Sequence, residues 1–392
     1  MTMQTPAEIL ELAEPIEDIY ARMVDELLIN IGKHLRNGSA VWTAYWEVEK
    51  LAELGQLTAE NAAIINKHIK ALPEKVWKTL DETRIGALYE LEARLEEAAE
   101  AGFLTPPTTD KVTQILRELA AQAESRYNLT NTNMLQSSLD MYRHGVADVA
   151  ERMERTLAEL NQASANLVEG TDTMRNAVRS AILNISAKGL TGFYDRAGRE
   201  WTPEAYVNMV TRTTVHNTAI QSYKMRAQEY GANVFQVSEH PGARPLCYPW
   251  QGKFLSWDNT SGTIRLGDGR TVSYAPLNST SYGQPAGLFG INCQHFPQTI
   301  IPGVTIPTVK SVQNKEANDA LYALKQEQRR LERYIRYAKR DLVMLGDTAT
   351  KEDRQRVRDA QADMRDFVRR TGFRRQYQNE QIVKEAVKKK GS

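Results

Sequence analysis

Both cysteines of this 392-residue chain and two of its six histidines fall in two short segments. The first is Ser238-Glu-His-Pro-Gly-Ala-Arg-Pro-Leu-Cys-Tyr-Pro-Trp-Gln-Gly252, and the second is Gly290-Ile-Asn-Cys-Gln-His-Phe-Pro297. His240, Cys247, Cys293 and His295 offer the nitrogen and sulfur donors that a tetrahedral zinc ion takes. Their spacing is not that of a zinc knuckle, because six residues separate His240 from Cys247 and one separates Cys293 from His295. A Cys247–Cys293 disulfide is open to the chain outside a reducing compartment. The plain alternative outweighs both: buried small thiols and hydrogen-bonded imidazoles that order the loops. The same residues could pair as thiolate and imidazole, or as Glu239 with His240, for acid–base chemistry. No orienting third group or nucleophile-elbow motif accompanies them, and Gly283–Gly290 lacks the phosphate-cradling glycine patterns. No enzyme is expected.

A second set of candidates is basic. Arg329, Arg330, Arg333, Arg336, Lys339 and Arg340 lie close together, followed by Arg369, Arg370, Arg374 and Arg375, and Lys388-Lys-Lys390 comes near the end. Clustered cations on a rigid element neutralise phosphates without reading sequence. The alternative is a solvated helix face. The net charge of +1 hides an asymmetry. Residues 1–110 hold 10 Lys/Arg against 20 Asp/Glu, a net of −10, while residues 310–392 hold 22 against 13, a net of +9.

The elements that must carry these residues follow from periodicity. Hydrophobic residues at 41% and charged residues at 25% suit a globular chain, and no apolar run approaches a membrane span. The acidic start lacks a basic-then-apolar leader, so secretion is not expected. Two cysteines exclude a disulfide scaffold or a four-cysteine zinc ribbon. Residues 1–188 read as a helical bundle, with a polar interruption expected at Asn128, Asn131 and Asn133. Thr202-Pro-Glu204 opens a further helix that Gly231 closes. Val234–Val237 and Phe254–Trp257 read as strands, and Thr263–Tyr274 as a hairpin about a Gly-Asp-Gly turn. Residues 189–308 therefore form a small α+β domain rich in loops. In residues 309–392, Leu321, Leu324, Gln328, Leu331, Ile335, Ala338, Leu342 and Leu345 step 3 and 4 alternately, a coiled-coil seam. Thr350 with Asp353 suits a cap, and Val357, Ala360, Met364 and Phe367 repeat the pattern. The fold class expected is mainly α with a small α+β domain: a helical bundle, a loop-rich β domain and an antiparallel coiled-coil hairpin.

These pieces resemble the minor capsid protein 2 family of tailed phages of Gram-positive bacteria, itself similar to the Mu F-like head morphogenesis proteins. The resemblance rests on Ile16-Glu-Asp-Ile-Tyr20, Leu27-Leu-Ile-Asn-Ile31 and Gln328–Arg336. It rests most on Ser238, His240, Gly242, Arg244, Cys247, Trp250 and Gly252, with Tyr282-Gly283, Gly290-Ile-Asn292-Cys293 and Pro302-Gly303. The Mu F-like pattern ends Cys-x-Cys, whereas Cys293-Gln-His295 ends in histidine. The resemblance implies a structural virion protein, made in the bacterial host cytoplasm and placed in the capsid interior near the portal. It would act in head assembly, DNA packaging or genome delivery. Its implied partners are portal or major capsid protein, with viral DNA met through the basic hairpin. No membrane, small-molecule substrate or cofactor is expected, a structural zinc at the four Cys/His residues being left open as an alternative. The competing classes are a nuclease or toxin-like enzyme in 233–308 and an assembly chaperone absent from the virion.

Overall fold

The computed structural model describes residues 8, 11–37, 43–70, 72–107, 111–160, 167–190, 193–194, 199–307 and 314–382. Nine helices are described: α1 (Glu14–Arg36), α2 (Thr43–Ala52), α3 (Leu54–Ile69), α4 (Leu72–Glu100), α5 (Val112–Leu160), α6 (Leu167–Lys188), α7 (Pro203–Glu229), α8 (Lys315–Leu345) and α9 (Lys351–Thr371). Seven strands accompany them: β1 (Phe193–Tyr194), β2 (Glu200–Trp201), β3 (Val234–Val237), β4 (Phe254–Ser256), β5 (Gly262–Arg265), β6 (Thr271–Pro276) and β7 (Pro297–Thr299). The chain is mainly α with a small mixed sheet, and no described helix is long and apolar enough to cross a membrane.

The chain divides into two compact units, each assembled from three separate stretches. One comprises Met1–Glu17, Ala71–Tyr127 and Val207–Lys325, and the other Asp18–Lys70, Asn128–Tyr206 and Gln326–Ser392. The consecutive segments 1–188, 189–308 and 309–392 do not coincide with these units. Nor does the polar run at Asn128–Asn133 break a helix: α5 continues through it for 49 residues. Thr130 and Asn131 are buried there, so packing overrides the weak helix propensity of Asn and Thr. The run instead marks where α5 leaves one unit for the other.

In the first unit the five-stranded sheet has the order β5-β6-β4-β3-β7. All neighbours are antiparallel except β4 and β6. The hairpin expected from Gly-Asp-Gly forms between β5 and β6, with Ile264 opposite Val272. Val234, Leu266 and Ile300 pack beneath Phe254, Ile264, Val272 and Tyr274. Phe235 stacks on Trp257 at 4.0 Å. Helix α7 is tied to β7 by Tyr223, whose Oη accepts the Thr299 N–H at 3.2 Å.

In the second unit α8 and α9 pack antiparallel, because Asp341 pairs with Arg356 while Glu327 pairs with Arg370. Leu331, Ile335, Ala338 and Leu345 of the expected seam are buried, with Ala360, Met364 and Phe367 of α9. Gln328, the seam's polar member, donates to the Arg374 carbonyl at 2.9 Å. Thr350 and Asp353 form a reciprocal capping box at the start of α9, and Gly372 closes it in the left-handed conformation.

Candidate functional site

The two Cys/His segments meet beside the end of the sheet. Ser238, leaving β3, exchanges hydrogen bonds with Phe296: its N–H donates to the Phe296 carbonyl at 2.9 Å and its Oγ accepts the Phe296 N–H at 2.8 Å. The following loop is clamped from α8. Asn318 accepts the Ala243 N–H at 2.7 Å and donates to the Ala243 carbonyl at 2.8 Å, both buried, and Lys325 donates to the Pro241 carbonyl at 2.8 Å. Gly242 has φ +74°, and a Cβ there would meet Lys325 and Leu321 at 3.1–3.3 Å. At Gly252, φ is +71° and a Cβ would lie 2.3 Å from a Glu239 carboxylate oxygen. Arg244 bridges the segments, donating to the carbonyls of Ile291 at 2.6 Å and Gly287 at 3.2 Å. Trp250 belongs to the 3-10 turn Tyr248–Trp250, and Asn292 turns the second segment at φ 56°.

Within this frame the sulfurs of Cys247 and Cys293 lie 3.9 Å apart as free, buried thiols. His295 Nδ1 is 3.4 Å from the Cys293 sulfur, and the donor atoms of Cys247, Cys293 and His295 all lie within 4.8 Å of one another. The Cys293 thiol is pulled far below its usual range by the Cys247 S–H and, against its own burial, by His216 and His295. Cys247 is pushed up by that same bond and by burial. The Phe289 N–H also points at the Cys293 sulfur at 3.3 Å, and Arg244 at the Cys247 sulfur at 3.8 Å.

His240 is brought near but not in. Its N–H is held by Gln251 at 2.8 Å, its Nδ1 faces the Pro241 carbonyl at 3.3 Å, and its ring packs on His295 at 4.3 Å between centroids. Burial, and then the neighbouring His295, lowers its pKa to about 4. Sequence reading missed His216. It lies on α7 one heptad before Tyr223, with Ala219 and Ile220 between, so it shares the buried face that meets β7. A polar residue in that stripe was the available signal.

The basic candidates part company. Arg340 is buried, donating to the Ser186 carbonyl at 2.8 Å and facing Asp25 at 3.8 Å. Arg375 is locked to Glu380 by two 2.6 Å bonds, and Lys339 donates to the Glu380 carbonyl at 2.8 Å. These three are engaged within the second unit. Arg336 is half-buried and lies over Tyr337. Arg329, Arg330, Arg333, Arg369, Arg370 and Arg374 are exposed, with Arg369 paired to Asp366 and Arg370 to Glu327. Exposed Arg354, Arg358, Arg365 and Arg369 step 4, 7 and 4 along α9 and form one stripe. The first three were not singled out from the sequence. Lys388–Lys390 lies outside the described residues.

Comparison with known proteins places this architecture. A phage structural protein from Lactococcus phage LL-H is 26% identical over 345 residues, covering 86% of this chain and 88% of the relative. No solved structure matches the chain. The model of the family described as phage minor capsid protein 2 matches residues 5–369, and the chain belongs to that family.

Proposed function

We propose that the protein is a structural component of a tailed-phage virion, seated in the head interior near the portal, where it serves assembly, packaging or genome delivery. Family membership supports the virion role, as does the relative's description as a structural protein. The observation that carries this reading is the exposed arginine stripe of α9, together with exposed Arg329, Arg330 and Arg333 on α8. Such a rigid cationic surface suits the phosphates of packaged DNA, and the acidic N-terminal helices suit a docking face on portal or capsid protein. An enzymatic role for the Cys/His loops is disfavoured, because Cys247, Cys293 and His295 are each at most 1% exposed and present no surface to a substrate.

Two measurements test this reading. Mass spectrometry of purified particles should find the protein, and its absence from them would favour an assembly chaperone instead. Filter binding of the full chain to duplex DNA should weaken steeply with salt. Reversing Arg354, Arg358, Arg365 and Arg369 to Glu should flatten the log–log slope by about 0.9 for each phosphate no longer neutralised. Binding that ignores salt, or none at all, rejects the DNA-facing part.

A further inference from the structure

We propose that Cys247, Cys293, His295 and His216 together hold one zinc ion that staples the two loops to helix α7. The argument is geometric. Zinc bonds of about 2.3 Å to sulfur and about 2.0–2.1 Å to nitrogen, at tetrahedral angles, put two thiolates about 3.8 Å apart and a thiolate and an imidazole nitrogen about 3.5 Å apart. The Cys247 and Cys293 sulfurs lie 3.9 Å apart, and Cys293 lies 3.4 Å from His295 Nδ1. Two edges of the tetrahedron are already near their lengths, and all three donor atoms lie within 4.8 Å of one another. A disulfide, by contrast, would require the sulfurs to close to about 2.05 Å.

The fourth corner falls to His216 rather than His240. His216 lies on the buried face of α7 that Tyr223 ties to β7, and its Nε2 is buried with no hydrogen-bond partner. A buried imidazole nitrogen left bare is costly, and a cation is what such an atom lacks. His216 stands outside the 4.8 Å that the donor atoms of the trio span, so closure asks its side chain to move toward them. His240 is half-exposed, and its N–H and Nδ1 already face Gln251 and Pro241. It covers the His295 ring instead. The Phe289 N–H and the Arg244 guanidinium, aimed at the two sulfurs, are the outer partners that thiolate ligands take.

Two thiolates and two imidazoles in a tetrahedral array select zinc over harder cations. All four positions would be filled by protein, which makes the centre structural. The ligand spacing hid it, since His216 precedes the first loop by more than twenty residues.

Full-length protein purified under reducing conditions without chelator should carry one equivalent of zinc. A thiol-alkylating reagent should release it. Cobalt substitution should give the intense visible bands of a tetrahedral thiolate site, a readout that needs no variant. His216→Ala should weaken zinc binding by more than about 100-fold, the upper end of what losing an outer partner costs, whereas His240→Ala should stay within about 10-fold. A mass lower by two hydrogens, showing a Cys247–Cys293 disulfide in protein kept anaerobic, overturns the proposal. So does reduced protein that takes up no zinc or cobalt. Undiminished binding by His216→Ala overturns the fourth ligand.

Discussion

His34 in the second unit and His216 in the first are both helix-borne imidazoles, 3% and 2% exposed, yet their surroundings are opposite. His34 is satisfied at both ring nitrogens: Nδ1 bonds Glu53 at 2.8 Å and Nε2 bonds Glu60 at 2.9 Å. Lys50, fully buried, then donates to the other Glu53 oxygen at 2.8 Å. This network closes on itself. His216 and His295 each keep a buried Nε2 with no hydrogen-bond partner, and His295 turns its Nδ1 to the Cys293 sulfur rather than to a carboxylate. The contrast teaches that one chain buries imidazole in two ways. In the first the protein supplies every partner, and in the second it leaves a buried ring nitrogen without one.

The strongest way to break the comparison is to open the closed network. His34→Ala removes two hydrogen bonds to carboxylates and the edge-on packing with Tyr142, and leaves Glu53 and Glu60 without their shared donor. Hydrogen bonds to charged groups contribute about 1.5–3 kcal/mol each, and partial exposure of both glutamates lowers the sum, so a loss of about 3 kcal/mol is expected. Segment-resolved hydrogen exchange should register it in α1 and α3 and leave the loops at 238–252 unchanged. Equal loosening of both regions would show that the two histidines are not independent sites.

A smaller effect is expected from the clamp on the loop cluster. Asn318→Ala strips the Ala243 N–H and carbonyl of their buried partners. The expected cost is about 2 kcal/mol, read as faster exchange across 241–247. Asn318→Asp sharpens the test, since it keeps the acceptor for the N–H but sets a carboxylate oxygen against the carbonyl. It should fall between wild type and alanine.

The same contrast separates what the sequence discloses from what it hides. The α8 seam, the Thr350–Asp353 capping box, strand Val234–Val237 and the hairpin about Gly267–Gly269 are local patterns, and each appears where its period or turn chemistry puts it. The continuity of α5 was hidden because propensity sees Asn128–Asn133 but not the packing that buries Thr130 and Asn131. The two units were hidden because each draws on stretches far apart in the chain. In the Cys/His cluster the loop residues were legible by composition. Asn318 and His216 were not, since both act from helices whose register is fixed only by tertiary packing. Likewise, Arg340 reads as one more exposed cation until Ser186 and Asp25 enclose it.

The least effect expected is also the one that most directly marks the closed network. Glu60 is held at a pKa of about 2, chiefly by its hydrogen bond from His34 and then by Gln56. A carboxylate whose pKa is lower folded than unfolded contributes stability that is complete above the unfolded value near 4.5. That contribution is lost as pH falls from there toward 2, because the unfolded chain takes up the proton first. Glu60 is partly exposed, so solvent screening keeps the effect well under about 1 kcal/mol. Acid titration followed by exchange in α1 and α3 should show a shallow loss across that window, and Glu60→Gln should reduce it. A loss that persists unchanged in Glu60→Gln would assign the acid sensitivity to Glu53 instead. Burial pushes Glu53 up, but Lys50 and His34 hold it below its usual value.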